Sequence, residues 1–126
     1  MLPKLLKTKV YVGISAGSMV VANSLHVATE ALERFGQLKD DEYDELGPAG
    51  RSSAKTAQLV KFEVRPHLNS KKFRKVRSEH FVRRVSKTLN VPMYAFDDNV
   101  ALKVIDGNVE IIGPGKCLVL NKTSVK

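Results

Sequence analysis

The chain has 126 residues, which is enough for one domain and too few for two of ordinary size. Hydrophobic residues make up 43% of it, so it can bury a core, while a single cysteine, Cys117, excludes an intramolecular disulfide and a cysteine-rich zinc site. No apolar run approaches the roughly 20 residues that cross a bilayer, and the N-terminus lacks the apolar core of a signal peptide. These features predict a cytoplasmic protein.

The net charge of +8 is unevenly distributed along the chain. Residues 30–50 hold seven acidic side chains against two basic ones, whereas residues 61–90 hold ten basic side chains against two acidic ones. Aromatic residues, which stack on bases, are only 6% of the chain, so the basic stretch is interpreted as a solvated surface and no nucleic-acid partner is predicted. The acidic stretch lacks the spacing of a calcium loop, and no metal site is predicted there.

The first half of the chain predicts a strand, a helix and a long loop. Residues 9–14 are β-branched and aromatic, which favours a buried strand, and residues 19–35 favour a helix. Residues 36–56 are polar and contain three glycines, and they are interpreted as an exposed loop insertion because loops of this length are usually functional or mobile.

The second half predicts one helix between short strands. Residues 58–64 predict a strand that ends before Pro66, because proline cannot donate to a strand ladder. Apolar residues at helical spacing predict a helix from an N-cap at Ser70 to about Leu89. Short strands are then predicted at residues 92–96, 100–105, 109–112 and 117–120, with a hairpin turn at Asp106-Gly107-Asn108. Two strand-to-helix units followed by short strands indicate an α/β fold.

The five residues Gly13–Gly17 fit the pattern G-x-S-x-G, in which a nucleophilic serine occupies a tight turn between a strand and a helix. In such a turn the hydroxyl of Ser15 stands clear of the sheet, and the N–H of Ala16 faces the oxyanion that develops on the substrate. The alternative is a purely structural tight turn, because glycine and serine are common residues.

A nucleophilic serine needs a base, and His26, His67 and His80 are the candidates. His67 is favoured because it follows a strand end directly, where catalytic groups gather in an open α/β sheet. Asp97 and Asp98 also follow a strand end and are the candidate acids. The order serine, histidine, aspartate differs from the serine, acid, histidine order of the α/β-hydrolases.

Three ordered segments resemble the peptidase E family, the S51 serine peptidases related to aspartyl dipeptidase and cyanophycinase. Tyr11–Ser18 resembles the nucleophile strand and turn, and Phe62–Ser70 resembles the histidine motif. Tyr94–Leu102 resembles the acidic turn, which continues through Asp106–Glu110 into a closing hairpin. The resemblance implies a three-layer α/β sandwich of the class I glutamine-amidotransferase-like type. It also implies a serine-type peptidase, an exopeptidase or dipeptidase, that acts on short peptides through an acyl-enzyme.

Carried over by motif, the resemblance implies Ser15 as nucleophile, His67 as base and Asp98 as acid, with Asp97 left open. The family commonly uses glutamate as the acid, so Asp98 departs from its pattern. No cofactor and no metal are implied, and the sequence does not indicate which residues bind the substrate.

Family members carry roughly another half-domain before the nucleophile strand, with a glycine-rich turn that resembles a second oxyanion donor, whereas residues 1–8 alone precede the strand here. We therefore expect residues 1–126 to be a partial S51-like domain without its N-terminal strands. An unpaired sheet edge beside residues 9–14 favours association into a homo-oligomer. Two function classes stay open: a serine peptidase with no nucleic-acid or membrane partner, and a non-catalytic remnant or self-associating binding module of the same fold.

Overall fold

The computed structural model describes residues 1–25, 56–73 and 76–122. Within these ranges the chain forms three helices and five strands, namely α1 (Leu2–Leu5), α2 (Ala16–Met19), β1 (Glu63–Arg65), α3 (Glu79–Ser86), β2 (Met93–Phe96), β3 (Ala101–Ile105), β4 (Asn108–Ile112) and β5 (Cys117–Leu120). One sheet has the strand order β1-β2-β5, and β3 and β4 form a separate two-stranded sheet. The fold is therefore mixed α/β, and none of the helices described is long and apolar enough to span a membrane.

The sheet brings the ends of β1 and β2 to one edge. β1 pairs with β2 in parallel, with Val64 opposite Tyr94, and β5 pairs with β2 in the antiparallel direction. Parallel neighbours have their carboxyl ends at the same edge. The N–H of Leu68 donates to the carbonyl of Phe96 over 2.9 Å, so the loop after β1 is tied to the end of β2. Side chains that follow these two strands consequently lie close together.

Both faces of the three-stranded sheet are buried, each by its own apolar cluster. On one face α3 contributes to a cluster of Leu68, Val76, Phe81, Val82, Val85, Met93, Ala95 and Leu118. The other cluster contains Ala22, Phe62, Val64 and Tyr94. Consecutive residues of β2 alternate between the two clusters, as the two-residue period of a strand requires. The alternation explains why β2 is apolar throughout.

The predicted strands after residue 90 are confirmed to within one residue. The turn between β3 and β4 is made by Asp106 and Gly107, which have φ angles of 49° and 79°. Positive φ at both central residues is the geometry of the tight hairpin turns that favour an Asp-Gly sequence. Local turn chemistry therefore determines this part of the chain.

The predicted strand at residues 9–14 is wrong for this structure. The segment is in no strand, and the side chains of Val10, Val12 and Ile14 are 88%, 78% and 81% exposed. A strand exists only through hydrogen bonds to a neighbouring strand, and none of the described strands pairs with this segment. The strand predicted at residues 58–64 does form, but it is shorter and begins later in the sequence, at Glu63–Arg65.

Two helix predictions also need correction. The helix predicted from Ser70 begins at Glu79, with Ser78 as its N-cap, whose hydroxyl accepts a hydrogen bond from the Phe81 N–H over 3.2 Å. Arg77 belongs to the basic stretch that is interpreted as a solvated surface, but the structure buries it fully. Where a helix is predicted for residues 19–35, the structure has the short helix α2, which begins at Ala16 and already ends at Met19. Residues 26–35 of that prediction, and the predicted loop up to residue 55, lie outside the described residues.

Candidate active site

The turn at Ser15 has an unusual backbone. Ser15 has φ 53° and ψ −120°, a conformation that residues with a side chain rarely adopt, and it directly precedes α2. A Cβ atom on Gly13 would lie 2.6 Å from the carbonyl oxygen of Gly17 and 2.8 Å from a ring carbon of Tyr11, so only glycine fits at this position. The Tyr11 hydroxyl donates to the Gly17 carbonyl over 2.7 Å and closes the turn.

Backbone hydrogen bonds attach the chain after α2 to the segment that leads into β1. The carbonyl of Val21 accepts from the N–H groups of Leu59 and Val60 over 3.0 and 3.2 Å. The N–H of Asn23 donates to the carbonyl of Phe62 over 2.9 Å. These bonds hold the chain after α2 against the entry to β1.

His67 lies between Ser15 and Asp98. Its Nε2 atom is 2.8 Å from the Ser15 hydroxyl oxygen, and its Nδ1 atom is 2.5 Å from Oδ1 of Asp98. An ionised carboxylate can only accept hydrogen bonds, so Nδ1 carries the ring proton and Nε2 accepts from the Ser15 hydroxyl. The side chain of His67 is 23% exposed, so the ring is only partly covered by the protein. A hydroxyl, a base and an orienting acid in this order are the arrangement of nucleophilic catalysis.

The two adjacent aspartates have different partners. Oδ1 of Asp97 accepts from the Asn99 N–H over 2.9 Å, and Oδ2 accepts from the Lys116 N–H over 2.7 Å. A Cβ atom on Gly115 would overlap the Asp97 carboxylate, so the turn between β4 and β5 packs directly on it. Asp97 thus holds the turn, and Asp98 is the aspartate whose carboxylate contacts His67.

The remaining candidates are placed as follows. Ala16 is the first residue of α2, where the first N–H groups of a helix have no acceptor within the helix. His80 is exposed on α3 and has no part in the Ser15 cluster, and His26 lies outside the described residues. Of the two candidate bases that the structure describes, His67 and His80, it brings His67 to Ser15.

The sequence model of peptidase family S51 matches residues 1–112, which is most of the chain. The chain belongs to peptidase family S51. Comparison with the curated proteins and with the solved structures gives no match in either case. All three segments that resemble the family lie within the matched range, and membership supports peptidase function in general.

In this S51 chain a charged cluster supports the acidic turn. The Lys116 ammonium lies 2.5 Å from Oε2 of Glu79, and the Arg83 guanidinium lies 2.8 Å from Oε1 of the same carboxylate. The hydrogen bond from Lys116, followed by that from Arg83, lowers the pKa of Glu79. Because the Lys116 N–H also binds Asp97, the cluster connects the first turn of α3 to the acidic turn. Sequence reasoning missed this link, since Glu79 and Lys116 are 37 positions apart.

Cys117 of the S51 chain is half-buried in β5. Burial, and then the nearby charge of Asp97, raise the pKa of its thiol. The thiolate is the nucleophilic form of cysteine, so this side chain is a poor nucleophile near neutral pH. Among the described residues, no group of three histidine, cysteine or acidic side chains could hold a metal ion.

Proposed function

We propose that this chain is a serine-type peptidase that acts on short peptides, with Ser15 as nucleophile, His67 as base and Asp98 as acid. The observation that carries the proposal is the continuous contact from Ser15 Oγ to His67 Nε2 at 2.8 Å and from His67 Nδ1 to Asp98 at 2.5 Å. The left-handed backbone of Ser15 adds support, because it is the strained turn that presents a nucleophile. Membership of family S51 supports the choice of peptide bonds.

The reaction follows from these contacts. Ser15 Oγ attacks the carbonyl carbon of the scissile peptide bond while its proton passes to His67 Nε2. Asp98 stabilises the imidazolium that forms, through the proton on Nδ1. When the tetrahedral intermediate collapses, the C–N bond breaks and Nε2 protonates the leaving amine. Water then hydrolyses the acyl-enzyme by the same route, with His67 again as the base.

The oxyanion of the tetrahedral intermediate is assigned to the N–H of Ala16. This N–H follows the nucleophile directly and lies at the start of α2, which is the usual place of one oxyanion donor in a nucleophile turn. Loss of one such donor typically slows turnover by about 10²–10³-fold. No cofactor or metal enters this scheme.

The proposal also covers the specific fold class and the cellular location of the protein. A sheet that is buried on both faces supports the class I glutamine-amidotransferase-like three-layer sandwich. We expect short soluble peptides as substrates in the cytoplasm, with no nucleic-acid or membrane partner. An experimental structure would test the layer arrangement, and cell fractionation would test the location.

A fluorophosphonate probe tests the catalytic assignment, since it phosphonylates only an activated serine. We expect the folded wild-type chain to be labelled, and Ser15→Ala and His67→Gln to lose the labelling. His80→Gln is the matched control, because His80 is exposed on α3 and should leave labelling unchanged. Folded wild-type protein that resists the probe, or labelling that persists in Ser15→Ala, would refute the proposal.

One observation favours a second candidate, a self-associating binding module of the same fold. Val10, Val12 and Ile14 are 88%, 78% and 81% exposed, and exposed apolar side chains of this kind favour association with a second copy. Sedimentation should then show a dimer or larger species that Val12→Lys converts to monomer. A monomeric wild-type chain would exclude this candidate.

A further inference from the structure

The loop that carries His67 has a strained backbone. His67 and Asn69 have φ angles of 62° and 59°, in the left-handed region that glycine prefers. Residues in this region are strained and persist only where their surroundings hold them. The groups that hold residues 66–69 therefore determine where the imidazole of His67 lies.

Two buried guanidinium groups connect this loop to the segment before α3. Arg77 Nη1 donates to the carbonyl of Pro66 over 3.1 Å, and Arg65 Nη2 donates to the carbonyl of Val76 over 2.9 Å. Both arginines are 0% exposed. The N–H of Asn69 also donates to the carbonyl of Arg77 over 2.8 Å. The backbone on both sides of His67 is therefore bound to Arg77.

Arg77 also contacts the helix of the nucleophile and the ring of Phe73, which lies beside the imidazole of His67. Its guanidinium carbon is 5.6 Å from the ring centre of Phe73, and that ring is 5.7 Å from the imidazole of His67. Its Nη1 atom lies 3.9 Å from the sulfur of Met19, the last residue of α2. One side chain thus contacts the loop of the base and the helix that begins beside Ser15.

We propose that Arg77 is a positioning residue, which holds His67 at hydrogen-bonding distance from Ser15 without touching the substrate. The proposal rests on the proposed serine-peptidase function of the Ser15, His67 and Asp98 contacts. Fold stability alone is a weak reason for a buried arginine, because well-packed apolar residues of similar volume often stabilise a protein as well or better. What Arg77 adds is a directional donor to the Pro66 carbonyl, which an apolar side chain such as methionine cannot supply.

The test compares Arg77→Met and Arg77→Lys with the control Arg84→Met, which removes an exposed arginine from α3. The first readout is the pair of ring ¹⁵N chemical shifts of His67, assigned by their loss in His67→Gln. The second is fluorophosphonate labelling, resolved into the affinity for the probe and the rate constant of phosphonylation. Circular dichroism and cooperative unfolding establish that each variant is folded.

We expect Arg77→Met to shift the His67 nitrogens from the Nδ1-protonated tautomer toward a mixture of tautomers. The rate constant should fall by about 10²-fold, the effect of roughly 1 Å of misplacement, with unchanged probe affinity. Lysine keeps a donor for Pro66 but not the planar group over Phe73, so Arg77→Lys should lie between wild type and Arg77→Met. Arg84→Met should match wild type in both readouts.

Wild-type ring shifts and a wild-type rate constant in folded Arg77→Met would overturn the proposal. If Arg77→Met does not fold, Arg77→Lys is the deciding variant. Ring shifts and a rate constant equal to those of wild type in Arg77→Lys would show that Arg77 has a purely structural role. If wild type resists the probe, the proposed function fails, but the ring shifts still report whether Arg77 positions His67.

Discussion

Replacing Gly13 by alanine tests whether the turn at Ser15 depends on close backbone contact. The new Cβ would lie 2.6 Å from the Gly17 carbonyl oxygen, 2.7 Å from its carbon and 2.8 Å from the Tyr11 ring. Two of these atoms belong to the backbone of α2, so relief of the overlap must displace the start of that helix. Gly17→Ala is the matched control, because its Cβ would meet only the Tyr11 hydroxyl, at 3.7 Å.

The expected loss combines two effects. Overpacking of this kind costs about 1–3 kcal/mol. Displacement of Gly17 also weakens the hydrogen bond from the Tyr11 hydroxyl, which contributes roughly 0.5–1.5 kcal/mol. We therefore expect Gly13→Ala to lower the free energy of unfolding by about 1.5–4.5 kcal/mol. Gly17→Ala should stay within about 0.5 kcal/mol of wild type.

Urea denaturation and fluorophosphonate labelling measure the two consequences. A shift of Ser15 by roughly 1 Å from His67 should slow labelling of folded Gly13→Ala by about 10²-fold. Gly17→Ala should label at the wild-type rate. Equal stability and equal labelling in Gly13→Ala and Gly17→Ala would show that the turn does not depend on the contact between Gly13 and α2.

Three further predictions concern single side chains. Asp98→Asn should slow labelling by up to about 10⁴-fold, because an amide no longer fixes the histidine tautomer, whereas Asp106→Asn in the β3–β4 turn should have no effect. Lys116 lowers the pKa of Glu79, so this carboxylate stabilises the fold above its ordinary pKa of 4.5 and the contribution is lost as pH falls through the lowered value. Urea midpoints of Glu79→Gln should accordingly lie below wild type at pH 7 and converge with it in acid; a constant difference would contradict this account. Burial raises the pKa of Cys117, so iodoacetamide should alkylate it more slowly at pH 8 than it alkylates free cysteine, and a faster rate would show an accessible thiolate.

Strand and turn patterns sufficed for the C-terminal half because the decisive interactions there are local. Each of β2 to β5 is within one residue of its prediction, and the Asp106-Gly107 turn sets the register of β3 on β4. Hairpin partners are adjacent in sequence, so turn type and apolar alternation are enough to define them.

The same reasoning was wrong for residues 9–14 because strand formation needs a partner. β-branched composition measures how well a residue fits a pleated, half-buried surface, and no described strand provides that surface here. The helix predicted from Ser70 was wrong for a related reason. Apolar spacing continues through Phe73 and Val76, but Val76 is buried in the core and Phe73 packs against that core before α3 begins at Glu79.

The sequence by itself determined the candidate chemistry. The G-x-S-x-G pattern identified Ser15, and placement after predicted strand ends identified His67 and two adjacent aspartates. These inferences needed only short patterns and the rule that parallel strands end at one edge of a sheet.

Tertiary structure decided which aspartate faces the histidine and where the basic side chains lie. Asp97 is engaged by the N–H of Lys116, 19 residues away, which leaves the contact with His67 to Asp98. Arg77 can be buried because its guanidinium donates a hydrogen bond to the carbonyl of Pro66, 11 residues earlier. Burial of a charge and the choice between neighbouring carboxylates depend on partners that folding brings together, and no local pattern contains them.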